Sequence, residues 1–185
     1  MKIILRCVAA TCLLLFSVSA LGDDHRRSKG FVMFNAGTLI VGIEQSLFLP
    51  PPNDPVPDVP ISIIEEKSRG TLGRADLKTF SVVVGFGFHE DECPEGFGPF
   101  AITEDTIVLT FHDLSQLVGK GTTFVCVDEN RTQGVLGTGE WVSGSRRFAD
   151  VMGGEYHLSS TATPQSTNGQ YYSTVGSING QIERQ

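Results

Sequence analysis

Three histidines beyond the N-terminal region sit beside acids: His89 before Glu90 and Asp91, His112 before Asp113, and His157 two residues after Glu155. Imidazoles from three strands could ligate a metal inside a barrel. No H-x-H or H-E-x-x-H spacing is present, so no metal and no cofactor is expected. Glu155 and His157 form the best acid–base candidate. Residues i and i+2 share a strand face, so a carboxylate and an imidazole there could work together as catalytic groups in a cavity. The plainer reading of the pair is an outward polar face. The run from His89 to Glu95 is acidic, but it lacks the D-x-D-x-D-G spacing of a calcium loop and reads as solvated.

Aromatic residues with polar tips gather near the C-terminus: Trp141, Tyr156, Tyr171 and Tyr172. Such residues line ligand cavities, and they also fill cores. Trp141, Tyr156, Tyr172 and His112 are the ligand-binding candidates. No nucleophile elbow, P-loop or dinucleotide fingerprint occurs. Gly85-Phe86-Gly87 lies within a strand pattern with no helix after it.

The elements that must position these residues read as β. Phe31 to Val41 predicts a first strand. Pro50, Pro51, Pro52, Pro55, Pro57 and Pro60 crowd the next segment, so 50–60 is expected to be a stiff extended loop. Ile61 to Glu66 resumes an extended pattern. Phe80 to Phe88 alternates with period two, and the expectation is that Phe80, Val82, Val84, Phe86 and Phe88 face the core. Further strands are expected over Asp105–Asp113, Thr122–Asp128, Gly134–Val142, Gly154–Thr161 and Gly169–Ile182. Asp113 to Val118 could form one helical turn. About eight strands separated by short turns predict an all-β fold, an antiparallel β-barrel of about eight strands in a single domain over 31–185.

The segment before this domain carries targeting signals. Lys2 and Arg6 precede an apolar run from Val8 to Val18, and Val18-Ser19-Ala20 has the small-residue form of a signal peptidase site. The run is shorter than the roughly 20 residues a membrane anchor needs. Residues 1–20 are therefore expected to be a signal peptide and 21–30 a loose arm, with no membrane span after cleavage and an extracellular or periplasmic destination. Export removes Cys7 and Cys12. It leaves Cys93 and Cys126 in an oxidising compartment, where they are expected to pair as a disulfide. Asn130-Arg131-Thr132 is a glycosylation sequon.

Composition bounds the rest. The 185 residues are 40% hydrophobic and 19% charged, which suits one globular domain and argues against general disorder. Lys and Arg number 14 against 21 Asp and Glu, a net charge of −7. That balance excludes a phosphate-reading surface, and no nucleic-acid partner is expected.

The C-terminal half carries a family pattern. Gly137-Thr138-Gly139-Glu140-Trp141 leads into Ser145-Arg146-Arg147-Phe148-Ala149-Asp150-Val151-Met152-Gly153-Gly154. Glu155-Tyr156-His157-Leu158 follows, and the chain closes on Gly176-Ser177-Ile178-Asn179-Gly180-Gln181-Ile182. This resembles the glycine-rich turn and final strand of the allene oxide cyclase and dirigent β-barrel superfamily, and looks nearest its secreted bacterial members. Gly70-Thr71-Leu72-Gly73-Arg74-Ala75 is similar to the turn those proteins carry before a long strand. Arg146 stands where the pattern has glycine, and Val151 where it has a small residue. The resemblance spans about residues 61–183. It implies an eight-stranded barrel with an apolar cavity, often in a homo-oligomer, but it transfers no catalytic residue.

Two functions follow. One is a secreted barrel that binds a small apolar molecule or steers its cyclisation or coupling. The alternative is a non-catalytic extracellular or periplasmic interaction protein with a barrel filled by side chains.

Overall fold

The computed structural model describes residues 27–44, 59–87, 92–167 and 169–185. The expected signal peptide, most of the proline-rich loop and the acidic run at His89–Asp91 lie outside these residues.

Eight antiparallel strands close into a barrel: β1 (Arg27–Glu44), β2 (Val59–Gly70), β3 (Gly73–Phe86), β4 (Gly98–Phe111), β5 (Gln116–Val127), β6 (Gln133–Gly144), β8 (Glu155–Pro164) and β9 (Tyr171–Arg184). A three-residue strand, β7 (Val151–Gly153), pairs with the end of β9. Consecutive strands pair from β1 to β6, β6 pairs with β8 and β8 with β9, and β1 returns to β9 to shut the sheet. Closure removes the unpaired edges that an open sheet would expose.

Two expectations change at the ends of elements. β1 begins at Arg27, four residues inside the stretch expected to be a loose arm, because Arg27 to Gly30 pair with Arg184 to Gln181. Asp113 to Val118 forms no helical turn. Residues 112–115 make a tight turn, held by Asp113, which accepts from both the backbone N–H and the hydroxyl of Ser115, and β5 starts at Gln116.

The larger correction concerns β3. Ala75, Leu77, Thr79 and Ser81 point inward, whereas Phe80, Val82, Val84 and Phe86 stand on the outer wall and are 43–64% exposed. The physical reason lies earlier in the strand. Arg74, Asp76 and Lys78 share the phase of the aromatic set, and a strand turns every second residue to the same face. Placing Phe80 inside would carry Asp76 and Lys78 inside with it. Outside, they pair across to β2, Lys67 with Asp76 at 2.6 Å and Lys78 with Glu65 at 2.7 Å.

The lower half of the lumen is packed with large side chains. Phe31, Met33, Leu77, Leu109, Phe111, Leu117, Trp141, Tyr156, Ile178 and Ile182 are all buried there in one cluster. Phe148, from a short 3-10 turn at Arg146–Phe148, plugs the lower end against Phe111, with ring centroids 4.9 Å apart. Arg147 lies 4.2 Å over the Phe111 ring and 4.7 Å over the Phe148 ring, and Arg184 stacks on Phe148 from 5.2 Å. These cation–π contacts let two charged residues cover an apolar plug. The Arg146–Phe148 turn therefore closes the barrel floor. Arg146, at the pattern's glycine position, has φ 54°, the left-handed region that glycine adopts without cost.

Candidate functional site

The upper lumen is built differently. Inward positions on β3, β4, β5, β6, β8 and β9 include Ser81, Ala101, Thr103, Thr123, Gly137, Ala162 and Thr174, none larger than threonine, beside the larger Gln133, Val135 and Tyr172. A barrel of eight strands has an interior just wide enough for side chains to fill or for one small ligand. Leu39, Ala162 and Tyr172, with Val41 and Ile64, form a second apolar cluster toward this end.

A polar girdle separates the two halves. Asp105 is 5% exposed and accepts from Thr103 Oγ1 at 2.9 Å and from the hydroxyl of Thr123 on its other oxygen. Glu66 is equally buried and accepts from Asn35 Nδ2 at 3.0 Å. Among the described buried side chains these two acids are the only charged types; no Lys, Arg or His joins them. Burial raises the Glu66 carboxyl above the ordinary range, partly offset by Thr174 and Asn35. Thr174 stands beside that carboxyl but outside hydrogen-bonding geometry.

Tyr156 crosses the girdle. Its ring rests on Trp141, with centroids 4.9 Å apart, and its hydroxyl lies 2.6 Å from where a Cβ on Gly121 would stand. Gly121 pairs directly with Asp105, and Gly139 pairs with both Gly121 and Tyr156. The missing side chains at Gly121 and Gly139 make the trough in which the phenol lies. Burial first, and the Asp105 charge second, raise the Tyr156 hydroxyl far above its usual value, so it stays protonated. Among the described residues, four buried side-chain polar atoms have no hydrogen-bond partner: Tyr156 Oη, Glu66 Oε1, Thr174 Oγ1 and Trp141 Nε1. Unpaired buried polar atoms are rare and costly, and ligands or ordered water are their usual complement.

The structure divides the sequence-predicted site residues. Trp141, Tyr156 and Tyr172 are buried in the lumen. Glu155 and His157 do share a face, but it is the outer one. Both are exposed, in a groove of about 810 Å³ on the barrel wall lined also by Asn179, Gln181 and Glu183. They cannot meet a substrate inside the barrel. His112 follows the last residue of β4 and is exposed beside Lys67, Arg69 and Arg74, in a depression of about 590 Å³, so it is no lumen residue. The phase of β4 explains this: Phe111 points in, and its neighbour points out. No group of three His, Cys, Asp or Glu that could hold a metal occurs among the described residues.

Cys93 and Cys126 form a disulfide, with Cα atoms 5.7 Å apart. Cys126 occupies an outward position yet is fully buried, because the loop carrying Cys93, Pro94 and Phe97 is strapped over it and over Gly134.

Sequence reasoning missed Asp105, Glu66, Thr103, Thr123 and Asn35. For Asp105 the signal was present: it shares the phase of Ile107, Leu109 and Phe111, a carboxylate in step with an apolar face. Glu66 carried none, since Ile63-Ile64-Glu65-Glu66 shows no phase. No family model, curated protein or solved structure matches the chain.

Proposed function

We propose that the protein is a secreted barrel that holds one small, largely apolar molecule in its upper lumen. The carrying observation is the pair of buried, unpaired polar atoms at the girdle, Tyr156 Oη and Glu66 Oε1, below the small inward residues Ala101, Gly137 and Ala162. Leu39, Tyr172 and Ile64 supply apolar contact for the body of the ligand. The resemblance to the allene oxide cyclase and dirigent group supports the same reading. If the barrel also steers a cyclisation or coupling, confinement of the substrate's conformation carries the effect, and His157 with Glu155 on the outer wall takes no part.

Native mass spectrometry of the protein purified from its host compartment tests this. The expected spectrum shows a chain beginning at Leu21 with a small-molecule adduct released by mild activation. A bare mass together with no uptake from a panel of lipophilic molecules overturns the reading.

A specific feature favours the alternative, an interaction protein. Tyr171, Ile40, Ile63 and Phe80 are directly opposed across β9, β1, β2 and β3, and Val82, Val84, Phe86 and Phe100 extend the stripe. Its four aromatics are each about half exposed, and at about 150–250 Å² apiece they offer roughly 400 Å². With the aliphatic residues that approaches the roughly 800 Å² per partner of a standard interface. Sheet faces pack on like sheet faces, so a second copy of the chain is the matching occupant. Sedimentation velocity should then give a dimer that Phe86→Ser weakens; a monomer at high protein concentration removes this reading.

A further inference from the structure

The lumen's charge selects among small molecules. Asp105 presents a carboxylate whose two oxygens accept from Thr103 and Thr123, both neutral donors. The second acid on the same inner wall, Glu66, accepts from Asn35 and has Thr174 beside it, both neutral. No basic side chain is among the described buried residues. An anion buried without a counter-charge is expensive, whatever hydroxyl groups surround it. Beside it stands the buried hydroxyl of Tyr156, a residue 1% exposed, which has no hydrogen-bond partner and lies over the glycine that pairs with Asp105.

Resting on the lumen-binding reading above, we propose that the ligand is a small apolar amine, its ammonium held between the Asp105 carboxylate and Tyr156 Oη. An ammonium supplies the absent positive charge and donates to both oxygens. Tyr156 and Trp141, in tilted contact with ring centroids 4.9 Å apart, add aromatic ring faces, which attract cations. The alkyl or aryl body then runs along Thr103 and Ala101 of β4 toward the apolar cluster of Leu39 and Tyr172. A fatty acid or other carboxylate would place a further anion among two acids with no base to meet it. A neutral alcohol would satisfy Tyr156 and leave Asp105 uncompensated.

The test titrates the full-length mature protein with hexylamine, hexanol and hexanoate, equal in length and different in head group. The readout is the fluorescence of Trp141, the chain's one tryptophan, which lies against Tyr156. Hexylamine is expected to bind at least about tenfold more tightly than hexanol, the scale of one charge-assisted hydrogen bond, and hexanoate to give no saturable change. Asp105→Asn should bring hexylamine down to the affinity of hexanol and leave hexanol unchanged. Should that variant fail to fold, the comparison of hexylamine with hexanol on the unaltered protein decides alone. Equal binding of all three, or an amine preference that survives Asp105→Asn, overturns the amine assignment while the lumen reading stands. No saturable change with any of the three overturns both.

Discussion

Glu66 shows how a single buried side chain links composition to stability. Its carboxyl is raised above 4.5 chiefly by burial, so the folded protein holds that proton more tightly than the unfolded chain does. The stabilisation is present in full below pH 4.5 and is lost as pH rises through the folded value. Glu66→Gln keeps the shape and removes the ionisation. It is expected to raise the melting temperature at pH 8, by about 2–4 °C for each kcal/mol gained, and to leave it unchanged at pH 4. Melting curves at the two pH values check this; an equal shift at both contradicts the account. Gly139 makes a second case. A Cβ there would run into the backbone carbonyl of Lys120 and the phenol of Tyr156. Gly139→Ala should therefore cost about 1–3 kcal/mol, the usual scale of overpacking, measured by chemical denaturation.

At the scale of elements, two connections carry measurable energy. The disulfide joins residues 33 apart, from the loop before β4 to the end of β5. Closing such a loop in the unfolded chain is worth about 3–4 kcal/mol on the chain-entropy estimate. Reduction is expected to lower the denaturant midpoint accordingly; no change would mean that the strap over Gly134 holds by packing alone. The β4–β5 turn contains the opposite kind of residue. Leu114 sits at φ 61° with its side chain 62% exposed, so an apolar residue occupies a left-handed position with little packing in return. Leu114→Asn, a residue that tolerates this conformation, should stabilise the protein by about 1 kcal/mol.

For the molecule as a whole, closure is the decisive event. β1 pairs with β9 over residues 27–40 and 171–184, which are nearly the whole described chain apart. Such non-local pairing predicts refolding on the millisecond-to-second scale. It also makes residues 27–30 part of the seam. A chain that starts at Phe31 is expected to be less stable by about 2 kcal/mol than one that starts at Leu21, since several ladder hydrogen bonds of about 0.5–1.5 kcal/mol each are lost. Equal stability of the two would show that the seam below Phe31 contributes nothing.

Much of this architecture was readable in the residues themselves. Period-two alternation marks β4, where Ile107, Leu109 and Phe111 alternate with Val108, Thr110 and His112. The pairing of Cys93 with Cys126 follows from the count of cysteines left after export. Periodicity finds a strand but does not say which face is inside; for β3 the answer lay in Arg74, Asp76 and Lys78, outside the apolar window. The lumen was less legible still. Asp105, Thr123 and Tyr156 come from three strands, and only barrel closure and register bring them across Gly121 and Gly139 to one girdle. The sequence by itself determined an all-β chain of about eight strands, because alternation and turn residues act over a few positions. The tertiary structure alone decided that Phe80 faces out and Asp105 faces in, because inside and outside exist only once the sheet has closed.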